Sequence, residues 1–310
     1  MKLFACFVFA LALPVSVKGA EPVTITVDAA DVSRRILHAH LTIPANAGPL
    51  TLHYPKWIPG EHSPSGPINN LAGLTVTANG KSIQWQRDPI DLYTFKVEVP
   101  PGARAIEVGL DYLAPVELER HSSGATATDH VAIVNWNLVV VYPGGARADE
   151  IPFRATLKLP PGWSWGSALA SSRSSGATVE FKQVPLTTLI DSPVLIGDHL
   201  QHIALDPLHE IVAAADGESA LDWPNSVIEH YKRLIVEATA LFGARHYDSY
   251  HFLVSLSDFI PPGGIEHHQS SDNRAPERAF VDEEARLAVA GCSRTSSPIP
   301  GTASIAARSD

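Results

Sequence analysis

The sequence predicts an all-β antiparallel sandwich, followed by the incomplete start of an α+β domain and a disordered C-terminal tail. Three observations predict it. From about residue 22 to 200, Pro and Gly punctuate the text roughly every ten residues, with short β-branched runs between them. Near 200 the character changes to one strong amphipathic helical pattern and then a single apolar run. The last stretch, CSRTSSPIPGTASIAARSD, has no periodicity and no aromatic residue, so it has nothing with which to bury a core.

The first twenty residues, MKLFACFVFALALPVSVKGA, carry Lys2, an apolar run over 3–14, and small residues at Gly19 and Ala20. That is the order of a secretory signal, with an apolar run too short to span a bilayer. The expectation is an exported protein, periplasmic or secreted, with no stable membrane span once residues 1–20 are removed. Cys6 leaves with the signal and Cys292 sits in the tail. An exported body without cysteine must rely on its core rather than on disulfides.

The runs VTITVD, RILHAHLTI, LTVTA, LYTFKVEV, AIEVGLDYL, VAIVNWNLVVVY, FRATLKL and TVEF read as strands of a domain over 21–205. Alternation is clean at Val23, Ile25 and Val27, and again at Phe95, Val97 and Val99. Asn79-Gly80 suits the positive φ angles of a tight hairpin. A second domain is expected over 206–291. Its helix places Val227, Ile228, Tyr231, Leu234, Ile235, Ala238 and Leu241 on one stripe. Asp222 serves as N-cap, Pro224 fits the first turn and Gly243 is a natural stop. A strand follows over 250–256. Residues 292–310 form the tail.

The net charge of −10, with no Lys/Arg run, argues against nucleic acid as a partner. HEIVA (His209 to Ala213) begins like the helix motif in which two His one turn apart bind a metal. Its second position is Ala213, so it reads as ordinary polar residues. His38 and His40 share a strand face but lack a third ligand, which favours surface or cross-strand packing. The loop YPKWIPGEHSPSGPINNLAGL, with Trp57 and Ile68, reads as a packed loop tied down by its aromatic residue, with a substrate-contacting loop as the competing reading. PPGGIEHHQSS is the most informative stretch. Gly263 and Gly264 allow another backbone to approach, and Glu266 and His267 stand where it would do so. A carboxylate in a partly dry cleft suits a cation such as a free α-ammonium. A Gly turn followed by solvated polar residues is the competing reading.

Together, YPKWIPGEHSPSGPINNLAGL, VNWNLVVVYPGG, DSPVLIGDH, EHYKRLIVEATALFGARHYDSYHFLVSLSD and GGIEHHQSS resemble the glycyl aminopeptidase family of zinc metallopeptidases over roughly 22–291. The resemblance implies a β domain, a thermolysin-like catalytic domain of which only the start is present, and release of N-terminal residues, small ones such as Gly and Ala favoured. It implies a peptide substrate with a free N-terminus, whose α-amine Glu266 anchors beside Gly263, Gly264 and His267. Intact members hold zinc on an H-E-x-x-H helix that this chain lacks. As written, then, the chain carries no catalytic residue or metal ligand of that kind, and inactivity and no bound zinc are expected.

The tail suggests why. Read one base earlier, codons allowed by residues 291–310 spell LLPHEFTHSWNGKYRRPLG, with His, Glu, His, Trp and Asn in order at the family's place. A frameshift near codon 291 in a longer gene is the expectation. The apolar faces of the helix and of strand 250–256 should then lie bare. Two alternatives are a non-catalytic periplasmic β-domain protein that binds peptides or a partner, and an enzyme of another class. The oligomeric state stays open.

Overall fold

The computed structural model describes residues 21–61, 63–116 and 126–286. The expected signal and tail lie outside them. The described chain is mostly β, with few helices and several antiparallel sheets. A nine-stranded sheet runs from Ser171–Ser175 through Thr178–Phe181, Pro152–Lys158, Val23–Asp28, Ile36–Pro44, Ala105–Leu113 and Leu71–Ala78 to Lys81–Ser82, with Val184–Pro185 off this path. Its one parallel pair joins Val23–Asp28 to Pro152–Lys158, which returns by a long connection to lie beside the first strand. A four-stranded sheet (Tyr142–Pro143, Gly48–His53, Thr94–Val99, Trp85–Arg87) is also present.

Period-two patterning explains which faces of these sheets are buried. Val23, Ile25 and Val27 are 2, 1 and 0% exposed, and Phe95, Val97 and Val99 of the four-stranded sheet are 1, 4 and 1% exposed. Both sets belong to one hydrophobic cluster. Asn79 and Gly80 adopt φ of 51° and 72°, the hairpin geometry their types favour. The run VAIVNWNLVVVY is not one strand, however. Pairing stops at Val134, and a 3₁₀ turn, Trp136–Leu138, buries its side chains instead. The Trp136 indole N–H donates to Ser192 O at 3.0 Å, which draws the backbone out of the ladder.

From Leu200 onward a five-stranded sheet forms in the order Leu200–Asp206, His209–Ala215, Tyr250–Leu256, Ser270–Ala275, Gly263–Glu266. Helix α1 is the short Leu186–Ile190, and α2 is Asn225–Phe242. Helix α2 ends at Gly243 with φ of 69°, as expected. Its N-cap is Pro224 rather than Asp222. A 3₁₀ turn over Glu218–Leu221 comes first, and Asp222 follows it outside the helix.

Strand Tyr250–Leu256 was expected to show a bare apolar face, and it does not. Tyr250, Phe252, Val254 and Leu256 pack with Val227 and Ile235 of α2. On the other face, Leu253 packs with Val131, Ile133 and Leu195, which lie in a three-stranded sheet (Ser164–Ser167, Val194–Gly197, Val131–Val134) of the first body, the β-rich part before residue 200. Only the outer end of α2 is bare, with Val236, Leu241 and Phe242 at 68, 76 and 44% exposure.

Candidate functional site

Strand Gly263–Glu266 is the edge of the five-stranded sheet and pairs on one side only, with Ser270–Ala275. The register sets Ile265 opposite Asp272 and Glu266 opposite Ser271. Facing residues share a side of the sheet and neighbours alternate. Ile265 therefore lies on the side of the first body, with Asp272. Glu266 lies on the opposite side, with Ser271 and Asn273.

The first body seals the Ile265 side. A Cβ on Gly60 would come within 2.3 Å of Ile265 Cγ2, and Gly60 has φ of 81°, so glycine is required on both counts. The loop that brings Gly60 there is packed, but Trp57, its expected anchor, is 62% exposed. Tyr54, buried at 1%, ties the loop instead through its hydroxyl to Leu138 O at 3.0 Å. Tyr93 adds a hydroxyl donated to Gly66 O at 2.7 Å.

Asp191, at the end of α1, grips the turn after the edge strand. It accepts from His267 Nδ1 and from the His268 backbone N–H, both at 3.0 Å. With Nδ1 turned to the carboxylate, the other ring nitrogen, Nε2, is left to find a partner of its own. That atom is buried without a partner among the described residues. It borders a cavity of about 20 Å³ beside Asn135, Asn137, Glu61 and Ser65. This volume holds about one water, not a substrate. Segments of four of the five stretches quoted above meet here, from 54–74, 135–138, 190–191 and 265–267.

Gly263, Gly264, Glu266 and His267 thus lie along one sheet edge, and of Glu266 and His267 only His267 lines this cavity. Asp191 was not singled out from sequence, nor was the buried Asp272–Arg274 pair at 2.6 Å on the Ile265 side. The paired types in D-x-R were the only signal for the latter.

The other candidate histidines are accounted for by nearby partners. His209 begins a strand, not a helix, and its buried ring is held by Asp206 Oδ1 at 2.7 Å and the Tyr247 hydroxyl at 2.8 Å. His38 pairs across strands with Asp111 at 2.7 Å, and His40 with Glu107 at 2.7 Å. Glu210 bridges His202 and His251, and these hydrogen bonds lower its carboxyl to about 2. Among the described residues, one group offers three converging donors: His130, Asp198 and His199. The Asp198 hydrogen bond raises the His130 imidazole above its ordinary value.

The model of the Peptidase M61 N-terminal domain matches residues 24–198. No curated protein matches the chain in sequence. A crystal structure of an aminopeptidase N family protein from Idiomarina loihiensis is similar at TM-score 0.72 and 17% identity, covering 90% of this chain and 47% of that one. Yeast LTA4 hydrolase in complex with bestatin is similar at TM-score 0.50 and 12% identity, covering 86% of this chain and 42% of that one. The chain therefore spans about half the length of these structures, and at such identities the likeness is one of fold. No described helix is long and apolar enough to cross a membrane.

Proposed function

The chain belongs to the Peptidase M61 N-terminal domain family, and we propose that it is the front portion of an exported zinc-dependent aminopeptidase. In this reading the nine- and four-stranded sheets are the two layers of a β-sandwich, and the five-stranded sheet opens a thermolysin-like catalytic domain. The observation that carries it is the free edge of Gly263–Glu266. One long side of that strand has no partner strand among the described residues, and its other side is fixed by pairing with Ser270–Ala275.

An extended peptide pairs with such an edge through backbone hydrogen bonds, and glycine at 263 and 264 leaves the approach unobstructed. Glu266, on the side away from the sealed face, then accepts the peptide's α-ammonium in a charge-assisted bond. Asp191 holds the register of this edge by gripping the turn at His267 and His268.

The zinc that such an enzyme uses does not fit the residues present. The sequence has no H-E-x-x-H, and HEIVA is a strand whose histidine is already saturated. The three-donor group at His130 sits on loops remote in sequence from the edge strand. No catalytic step is routed through a metal here, and the chain as written is inactive. A frameshift near codon 291 accounts for the missing helix.

Fluorescence anisotropy with a short Gly-first peptide tests the reading. Binding should weaken at least about ten-fold when the peptide is N-acetylated, as expected for a lost charge-assisted bond. Glu266→Gln should erase that difference. Indifference to acetylation, or full discrimination by the variant, would remove Glu266 from the proposed role.

A further inference from the structure

We propose that His130, Asp198 and His199 form a binding site for a divalent transition-metal ion of the zinc class, at the seam between the first body and the five-stranded sheet. Asp198 offers one oxygen to each ring: Oδ2 lies 2.8 Å from His130 Nδ1, and Oδ1 lies 3.3 Å from His199 Nδ1. One donor atom from each residue falls within 4.8 Å of the others. A tetrahedral ion with bonds of about 2.0–2.1 Å spaces its ligands roughly 3.3–3.5 Å apart. Small side-chain rotations bring these donors to that spacing, and their exposed side leaves room for water.

The surrounding backbone is locked. Asp198 N–H donates to His130 O at 3.2 Å, and Ala215 N–H donates to His199 O at 3.1 Å. A Cβ on Gly197 would stand 2.9 Å from His130 O, so glycine lets these segments close on each other. The imidazoles stack with centroids 5.4 Å apart and planes at 26°. A surface His–carboxylate pair such as His40–Glu107 has one ring per carboxylate. Here, as at Glu210, two rings turn Nδ1 to one carboxylate, and at Asp198 the two rings also stack.

Asp216 is an independent indication. Its Oδ1 accepts the Thr128 hydroxyl at 2.5 Å, the same hydroxyl oxygen that accepts the His130 N–H at 3.1 Å. Its carbonyl oxygen lies 3.2 Å from His199 Nδ1. Its Oδ2 is buried with no partner among the described residues. A buried carboxylate oxygen left unsatisfied is costly, and a cation held beside Asp216 offsets that cost. The donors come from the loop before Val131–Val134 and from the residues just after Val194–Gly197, the strand it pairs with, so the ion pins the ends of two neighbouring strands beside the link into Leu200–Asp206.

The test uses the full chain, stripped by chelator and titrated with Zn²⁺ by calorimetry, with Co²⁺ absorption as a spectroscopic probe of geometry. One equivalent of Zn²⁺ should bind and raise the melting temperature. His130→Ala, Asp198→Asn and His199→Gln should each weaken binding at least about ten-fold and abolish the rise. His40→Ala, a comparably exposed pair elsewhere, should change neither. Absence of saturable one-equivalent binding would overturn the proposal. So would unchanged binding in all three site variants with wild-type circular dichroism, or its loss in His40→Ala.

Discussion

Asp191 shows how much one carboxylate can organise. It accepts two donors from the turn behind the edge strand while only 14% of its side chain is exposed. Asp191→Ala leaves the His268 N–H and the His267 ring without it, and should cost about 2–3 kcal/mol in urea unfolding. Amide exchange should quicken first at 266–268. Glu210 governs a pH response. Its folded carboxyl is lowered from 4.5 to about 2 by His202 and His251. The stability it gives is complete above the ordinary value and is lost as pH falls toward about 2. His202 is raised by the same pair, so its share is complete below 6.5 and fades as pH rises through its folded value. Glu210→Gln should lower stability near neutrality by about 1–2 kcal/mol and flatten the acid limb of the stability–pH curve. A variant with the wild-type acid slope would exclude this bridge as its source. None of these partners was legible beforehand, because the Glu210 pairs depend on strand register and the Asp191 contacts on the end of α1 meeting a turn far away in sequence.

Among the elements, those legible in the sequence carried their own local signal. Asn79-Gly80 dictated its hairpin, and the alternation at 23–27 and 95–99 its buried faces. The start of α2 and the break after Val134 were misread, since an intervening 3₁₀ turn decided the first and the Trp136–Ser192 bond the second. Strand Tyr250–Leu256 joins both bodies, and only tertiary structure reveals that both its faces are used. Leu253→Ala, at 1% exposure between the bodies, should cost about 2–5 kcal/mol in denaturant unfolding. At the bare end of α2 the opposite holds. Leu241→Glu should change stability by no more than about 0.5 kcal/mol while reducing light scattering on heating. A large loss of stability would mean that Leu241 is covered in solution.

At the scale of the described residues, a small cluster of Val131, Ile133, Leu195 and Leu253 packs the β-rich part against the sheet that follows it. The family stretches come together at the seam between them. The pieces lie in separate sequence motifs, and their meeting beside Ile265 and His267 arises from loops far apart in the chain. What the chain does turns on whether a zinc helix follows the described sheet in the living protein. Resequencing the gene across codons 285–310 and its downstream flank tests this most directly. A single-base correction that restores HEFTHSWNGK in a frame that stays open is the predicted result, and it makes this chain the front of a zinc aminopeptidase. A reading frame that stands as written, with native protein ending in SIAARSD, would contradict it.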